Sequence, residues 1–185
     1  MNNIDKYVFK VFLMSLSMMF SLHSYAHIMV AQHGTLNVMD EGVFMVLSLP
    51  VSAFKGIDDD KDGMLSKAEF TLYRPVIASM VLEKVVLKDK NGKLPLQGMM
   101  LSPVTPHSSP NEPASQIIVM GRFALVNSNS ALQYQVDLFG KAFSEQSLEI
   151  TATRKMDGKK KVAVLSPKKS NASFFEGKSL YLADK

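Results

Sequence analysis

No cysteine occurs among the 185 residues. That absence removes a disulfide framework, a thiolate metal site and a cysteine nucleophile together. Histidine is scarce as well, at four in the whole chain. A nucleophile–base pair would have to draw on His27, His33 or His107. His107 stands in Pro106-His107-Ser108-Ser109-Pro110, a stretch that reads as an exposed loop. Paired carboxylates outside one acidic run are not evident, so an enzyme is the last of the readings the sequence supports. Aromatic residues are missing from the basic stretches Arg154-Lys155, Lys159-Lys160-Lys161 and Lys168-Lys169. A surface for nucleic acid needs rings on which bases can stack. These lysines read as the solvated end of a hairpin, with loose contact to anionic lipid or polysaccharide as the alternative.

Long apolar runs are also lacking. Val11 to Leu22 is the longest, and at twelve residues it falls short of the roughly 20 needed to cross a bilayer. Lys6 and Lys10 give it a positive start, and Ser24-Tyr25-Ala26 follows it with small residues at the −3 and −1 positions. This is the pattern of a signal peptide cut after Ala26. The expected organisation is a leader over 1–26 and one mature domain over 27–185, exported to a periplasm or secreted, with no stable membrane anchor. A cysteine-free exported chain fits a bacterial periplasm better than a small stapled extracellular module. The mature length suits a single domain that buries a real core without staples.

What the chain does have is strand patterning. Leu132, Tyr134, Val136 and Leu138 alternate with Gln133, Gln135 and Asp137, a period of two. Ile117, Val119, Phe123 and Leu125 do the same, with Asn127-Ser128-Asn129-Ser130 as the connecting turn. Leu148, Ile150 and Ala152 mark a strand whose hairpin partner is Lys161 to Leu165, across Asp157-Gly158. Thr35 to Met39 and Val43 to Leu49 flank Asp40-Glu41-Gly42, and the second is apolar on both faces, as a central strand would be. Val85 to Lys88 and Leu94 to Leu101 flank the tight-turn signal Asn91-Gly92. Seven or eight short strands of this kind predict a mainly β fold, an antiparallel, Ig-like β-sandwich. One helical stretch interrupts it. Ser66 to Val86 carries Ala68, Leu72, Ile77, Met80, Val81 and Leu82 without alternation, and Pro75 is expected to kink or divide it. Ser102 to Ser115, rich in proline and serine, reads as a surface loop.

The acidic run is Asp58-Asp59-Asp60-Lys61-Asp62-Gly63-Met64-Leu65-Ser66-Lys67-Ala68-Glu69. Calcium is a hard cation that takes six to eight oxygens at about 2.3–2.6 Å. Asp58, Asp60 and Asp62, at loop positions 1, 3 and 5, offer three carboxylates as the chain curls round an ion. Gly63 at position 6 permits the positive φ of a sharp bend. Met64 at position 7 offers its backbone carbonyl, Ser66 at position 9 a water or a weak ligand, and Glu69 at position 12 both its oxygens. Asp59 and Lys61 are expected to point outward. Such a coincidence of residue types arises by chance in roughly one chain of this length per few thousand. The same residues also suit a capped helix start, with Ser66 as N-cap and Glu69 closing a capping box, an arrangement compatible with metal binding.

Over residues 54 to about 73 the sequence therefore resembles the EF-hand family, with Phe54, Ile57, Leu65 and Phe70 at the flanking apolar positions. The resemblance implies Asp58, Asp60, Asp62, Met64, Ser66 and Glu69 as the ligand set for Ca2+, on an insertion covering about 54–82. The chain as a whole is similar to exported bacterial proteins with one EF-hand in a β-rich domain, a resemblance that implies no activity. Two departures matter. Pro50 to Ile57 leaves barely two turns for an entering helix, with Gly56 inside it. EF-hands also couple in pairs through the position-8 residue, here Leu65, and no second loop exists in the chain. A structural ion of low affinity, in the ~10⁻⁴–10⁻³ M range of extracellular modules, is the expectation, in a binding or interaction module whose protein partner the sequence does not name.

Cleavage after Ala26 would also place His27 at the mature N-terminus, where its imidazole and a free amine could hold copper. Met29, Met39, Met45, Met99, Met100 and Met120 are soft donors for Cu(I). This resembles periplasmic copper carriers built on a β-sandwich with an N-terminal histidine, although no matching motif follows His27. Single methionines at strand positions are more often core filler.

Overall fold

The structure, a computed structural model, describes residues 31–40, 42–105 and 112–175. The expected leader, His27, Met29 and His107 lie outside these residues. Ten strands and one long helix are present among them. In chain order they are β1 (His33–Met39), β2 (Gly42–Pro50), α1 (Lys67–Lys84), β3 (Val85–Asp89), β4 (Gly92–Leu94), β5 (Leu96–Val104), β6 (Gln116–Phe123), β7 (Leu132–Val136), β8 (Leu148–Arg154), β9 (Lys159–Leu165) and β10 (Asn171–Phe174). One-turn 3₁₀ helices occupy Val51–Ala53 and Phe143–Glu145. No helix of the described residues is long and apolar enough to cross a membrane.

The strands form two sheets, in the orders β5-β6-β2-β1-β8-β9 and β10-β7-β3-β4. Pairing is antiparallel except between β1 and β8, which run parallel with Thr35 opposite Thr151. The expectation of a wholly antiparallel sandwich is corrected at that pair. Gly34 lies in register with Leu47 on one side and Ile150 on the other. An added Cβ there would come within 2.8 and 2.6 Å of their terminal methyls, so a larger residue would require those two buried side chains to shift.

Alternation along the strands puts one face of each sheet into a single apolar core. Leu36, Val38, Met45, Leu47, Ile117, Val119 and Ile150 come from the larger sheet, and Val85, Leu87, Leu132, Tyr134 and Val136 from the smaller. The Phe123 and Tyr134 rings meet edge-on across the layers, with centroids 6.4 Å apart. The Tyr134 hydroxyl donates to Met45 Sδ at 3.1 Å, so its one polar atom is satisfied inside the core. β2 is central in its sheet, as expected, but its outer face is only partly covered, and Phe44 is 39% exposed there.

Two stretches differ from the sequence reading. Helix α1 is continuous through Pro75, which lies on an exposed stretch. Thr71, whose carbonyl loses its helical partner, is exposed too, so water can replace the missing bond. The Leu94–Leu101 stretch is split at Pro95, because β4 belongs to the small sheet and β5 to the edge of the large one. The Asn127–Ser130 turn joins β6 to β7 as expected, and it carries the chain from the larger sheet to the smaller. The Asp157-Gly158 turn does join β8 to β9 as a hairpin. Two of the apolar residues assigned to the helix, Leu72 and Leu82, face outward, and burial falls on Ile77 and Val81 with Phe70, Tyr73 and Met80 beside them.

Candidate metal centre

The acidic run lies on the excursion from β2 to α1. Its entry is shorter than the sequence implied: the expected two turns of helix reduce to the single 3₁₀ turn at Val51–Ala53. Phe54 already has extended backbone angles, φ −98° and ψ 124°, and Gly56 is left-handed at φ +73°. A helix cannot continue through either. Phe54 and Ile57 are buried instead, and they anchor the entry to the main core. The exit is a regular helix start. The Ser66 hydroxyl oxygen accepts from the Glu69 backbone N–H at 3.2 Å, and Glu69 Oε2 accepts from the Ser66 N–H at 2.8 Å. This is the expected capping box.

Between those ends the chain turns back through hydrogen bonds to its own carboxylates. Asp58 Oδ2 accepts from the Gly63 N–H at 3.0 Å, Asp60 Oδ1 from the Asp62 N–H at 3.3 Å, and Asp62 Oδ1 from the Met64 N–H at 2.7 Å. Gly63 has φ +80°, as a glycine at the bend requires, and Lys61 also takes a left-handed φ of +61°. Glu69 Oε1 reaches back to accept from the Asp59 N–H at 2.8 Å, so the last residue of the run closes on the second.

This folding brings ligand atoms of Asp58, Asp60 and Glu69 within 4.8 Å of one another, a group that could hold a metal ion. Asp58 Oδ1 is buried and has no hydrogen-bond partner among the described residues. A buried carboxylate oxygen without a donor costs free energy unless a cation satisfies it. Asp62, the remaining carboxylate of the expected ligand set, stands outside that group. Asp62 is exposed with one oxygen bonded to the Met64 N–H, Met64 offers only its backbone carbonyl, and the Ser66 hydroxyl is given to Glu69 Oε2 at 2.7 Å.

The electrostatics divide the carboxylates. Hydrogen bonds from the Ser66 hydroxyl, then from the Ser66 and Asp59 backbone, hold Glu69 below its ordinary range and keep it ionised. Asp60 is shifted the other way. The Asp62 N–H is the largest single influence and lowers it, but desolvation, the charges of Asp62 and Glu69, and the contact with Asp58 together outweigh that bond. Carboxylates that disfavour one another's ionisation at this spacing are what a bound cation relieves.

Two partners of the run were not legible beforehand. The Tyr73 hydroxyl donates to Asp59 Oδ1 at 2.6 Å, and that carboxylate pushes the phenol's titration up. Tyr73 follows Glu69 by one helical turn, a spacing that could have suggested it. The other is Ala114. Its N–H donates to the Leu65 carbonyl and its carbonyl accepts from the Leu65 N–H, each at 2.8 Å. Nothing local to either residue signals that pair.

Of the other candidate donors, His33 has its Nδ1 2.8 Å from the Ala31 carbonyl and its Nε2 3.5 Å from Glu149. Met45 is in the core, Met99 packs against it and Met100 is exposed. Met39 and Met120 are half-buried. No family model matches this chain, and neither does any curated protein. The local geometry of the acidic run therefore carries the functional argument.

Proposed function

We propose that Asp58–Glu69 is a single EF-hand-type loop that binds one calcium ion, and that the ion fastens the β2–α1 excursion to the two-sheet body. The observation that carries this is the buried Asp58 Oδ1, without a partner among the described residues, on a member of the three-carboxylate group, in a run whose residue types match the calcium pattern from position 1 to position 12. Asp58, Asp60 and Glu69 would supply the first carboxylate oxygens. Asp62, the Met64 carbonyl and Ser66 complete the set as the loop tightens, and Ca2+ offsets the repulsion that raises Asp60. The excursion is an EF-hand-like insertion in an Ig-like sandwich, with one exit helix and no entering helix.

In this reading the protein is an exported, periplasmic or secreted calcium-binding module with no enzymatic role, released from its leader after Ala26. Its partner surface is the cleft beside the loop, lined by Lys55, Lys61 and Lys141 together with Val51, Phe54 and Asp58. Three cations against one acid make that cleft suited to an acidic protein partner once the loop carboxylates are neutralised.

A calcium-dependent thermal shift tests the assignment. With a Kd of about 10⁻⁴–10⁻³ M, about 10 mM calcium stabilises by roughly 1.4–2.7 kcal/mol. For a domain of this size that corresponds to a Tm rise of about 3–10 °C. Glu69→Gln loses the charge and turns an amide NH2 toward donors that the second carboxylate oxygen accepts, so it is expected to melt below the parent in chelator and to show no further rise with calcium. Equal melting of the parent protein in calcium and in chelator would sink the proposal.

A further inference from the structure

The position-8 residue of an EF-hand loop ordinarily finds its backbone partner in a second loop, and this chain has no second loop. Leu65 nevertheless has a full partner. It exchanges two hydrogen bonds of 2.8 Å with Ala114, an isolated antiparallel bridge, and both residues are buried in the body of the protein. The stretch holding Ala114 is itself clamped. The Val51 N–H donates to the Ser115 carbonyl at 2.9 Å, and the hydroxyl of fully buried Ser48 donates to Gln116 Oε1 at 2.7 Å. Ser48 belongs to the end of β2, the strand from which the excursion departs, and Val51 opens the 3₁₀ turn that follows it. The acidic run, the stretch leading into β6 and the exit from the central strand are thus tied through Leu65, Ala114, Ser115 and Val51.

We propose that the Ala114 stretch is the built-in partner of the metal loop, taking the place of a second hand, and that calcium affinity depends on it. This rests on the reading of Asp58–Glu69 as a calcium loop. Leu65 lies between Met64, which supplies a carbonyl ligand, and Ser66, which orients Glu69. Fixing the Leu65 backbone on both its N–H and its C=O sets the direction of the peptides on either side of it. Ala114 is therefore a positioning residue, acting on the ion through Leu65. Preorganisation of this kind lowers the ordering cost of binding. Coupling is also reciprocal: if the bridge favours calcium, calcium must favour the bridge by the same factor.

The test uses the full mature chain. Ala114→Pro removes the N–H donated to Leu65, and Ala114→Gly keeps both hydrogen bonds. Calcium titration is expected to show affinity weakened about tenfold or more by the proline and changed by less than about threefold by the glycine. Equal affinity for all three proteins overturns the proposal. Should the proline variant fail to fold, amide hydrogen exchange in the unsubstituted protein decides the matter. The Leu65 and Ala114 amides are expected to exchange at least about tenfold more slowly with saturating calcium than in chelator. Calcium binding that leaves both amides unchanged overturns the bridge's role and spares the calcium assignment. An unsubstituted protein that takes up no calcium overturns both.

Discussion

Glu69 shows how one side chain can serve two structural needs. Its carboxylate receives the Asp59 N–H, the Ser66 N–H and the Ser66 hydroxyl, which fix its direction and hold its proton affinity low. A comparable carboxylate lies far from the acidic run. Asp157 accepts two bonds from buried Arg154, at 2.7 and 3.1 Å, and the Arg154 guanidinium also lies 4.7 Å over the Phe175 ring. Those bonds, with help from Lys159, hold the Asp157 carboxyl well below the usual carboxylate range. A group whose folded pKa is depressed adds stability that is present above its unfolded value, near 3.9, and is lost as pH falls through the lower folded value. Asp157→Asn is therefore expected to melt below the parent protein at neutral pH. The gap in Tm should close as the medium is taken below about pH 4. A gap independent of pH would exclude this origin.

At the level of elements, α1 illustrates what a pattern of residue types can and cannot foretell. The capped start at Ser66 was legible because a hydroxyl and a carboxylate three residues apart can serve only a few local geometries. The buried face was not. Ala68, Leu72 and Leu82 carry apolar side chains like their neighbours, and only contact with the sheets decides that Ile77 and Val81 go inside. Ile77→Ala is expected to cost about 2–5 kcal/mol. Leu72→Ala, at a position 64% exposed, should fall within about 0.5 kcal/mol of zero. Denaturant unfolding of the two variants measures the contrast. The strands follow the same division. Alternation over Leu132–Val136 and the Asp157-Gly158 hairpin could be read because they depend on near neighbours. The assignment of β4 and β5 to different sheets, and the Leu65–Ala114 bridge, depend on residues remote in the chain and left no local trace.

For the whole molecule, the exposed rim of the larger sheet needs protection from other copies. β9 is one of its two outermost strands, and Val162 and Val164 are more than half exposed there. Lys159, Lys160 and Lys161 on the same strand are all exposed, and like charges on a bare edge oppose pairing between molecules. The basic cluster thus has a role that needs no ligand. Replacing all three lysines by threonine should leave the fold intact and raise light scattering on standing; unchanged scattering at equal concentration would remove the argument. The parallel pair of β1 and β8 has a consequence of another kind, in time. β1 lies between a neighbour that follows it at once and one that follows only after most of the domain. Until β8 is made and delivered, the β1–β2 hairpin carries an open, apolar-faced margin at the middle of the future sheet. Early-formed structure must wait for late sequence. A chain halted before Leu148 would therefore hold the acidic run entire and still lack a finished body to which the run could be fastened.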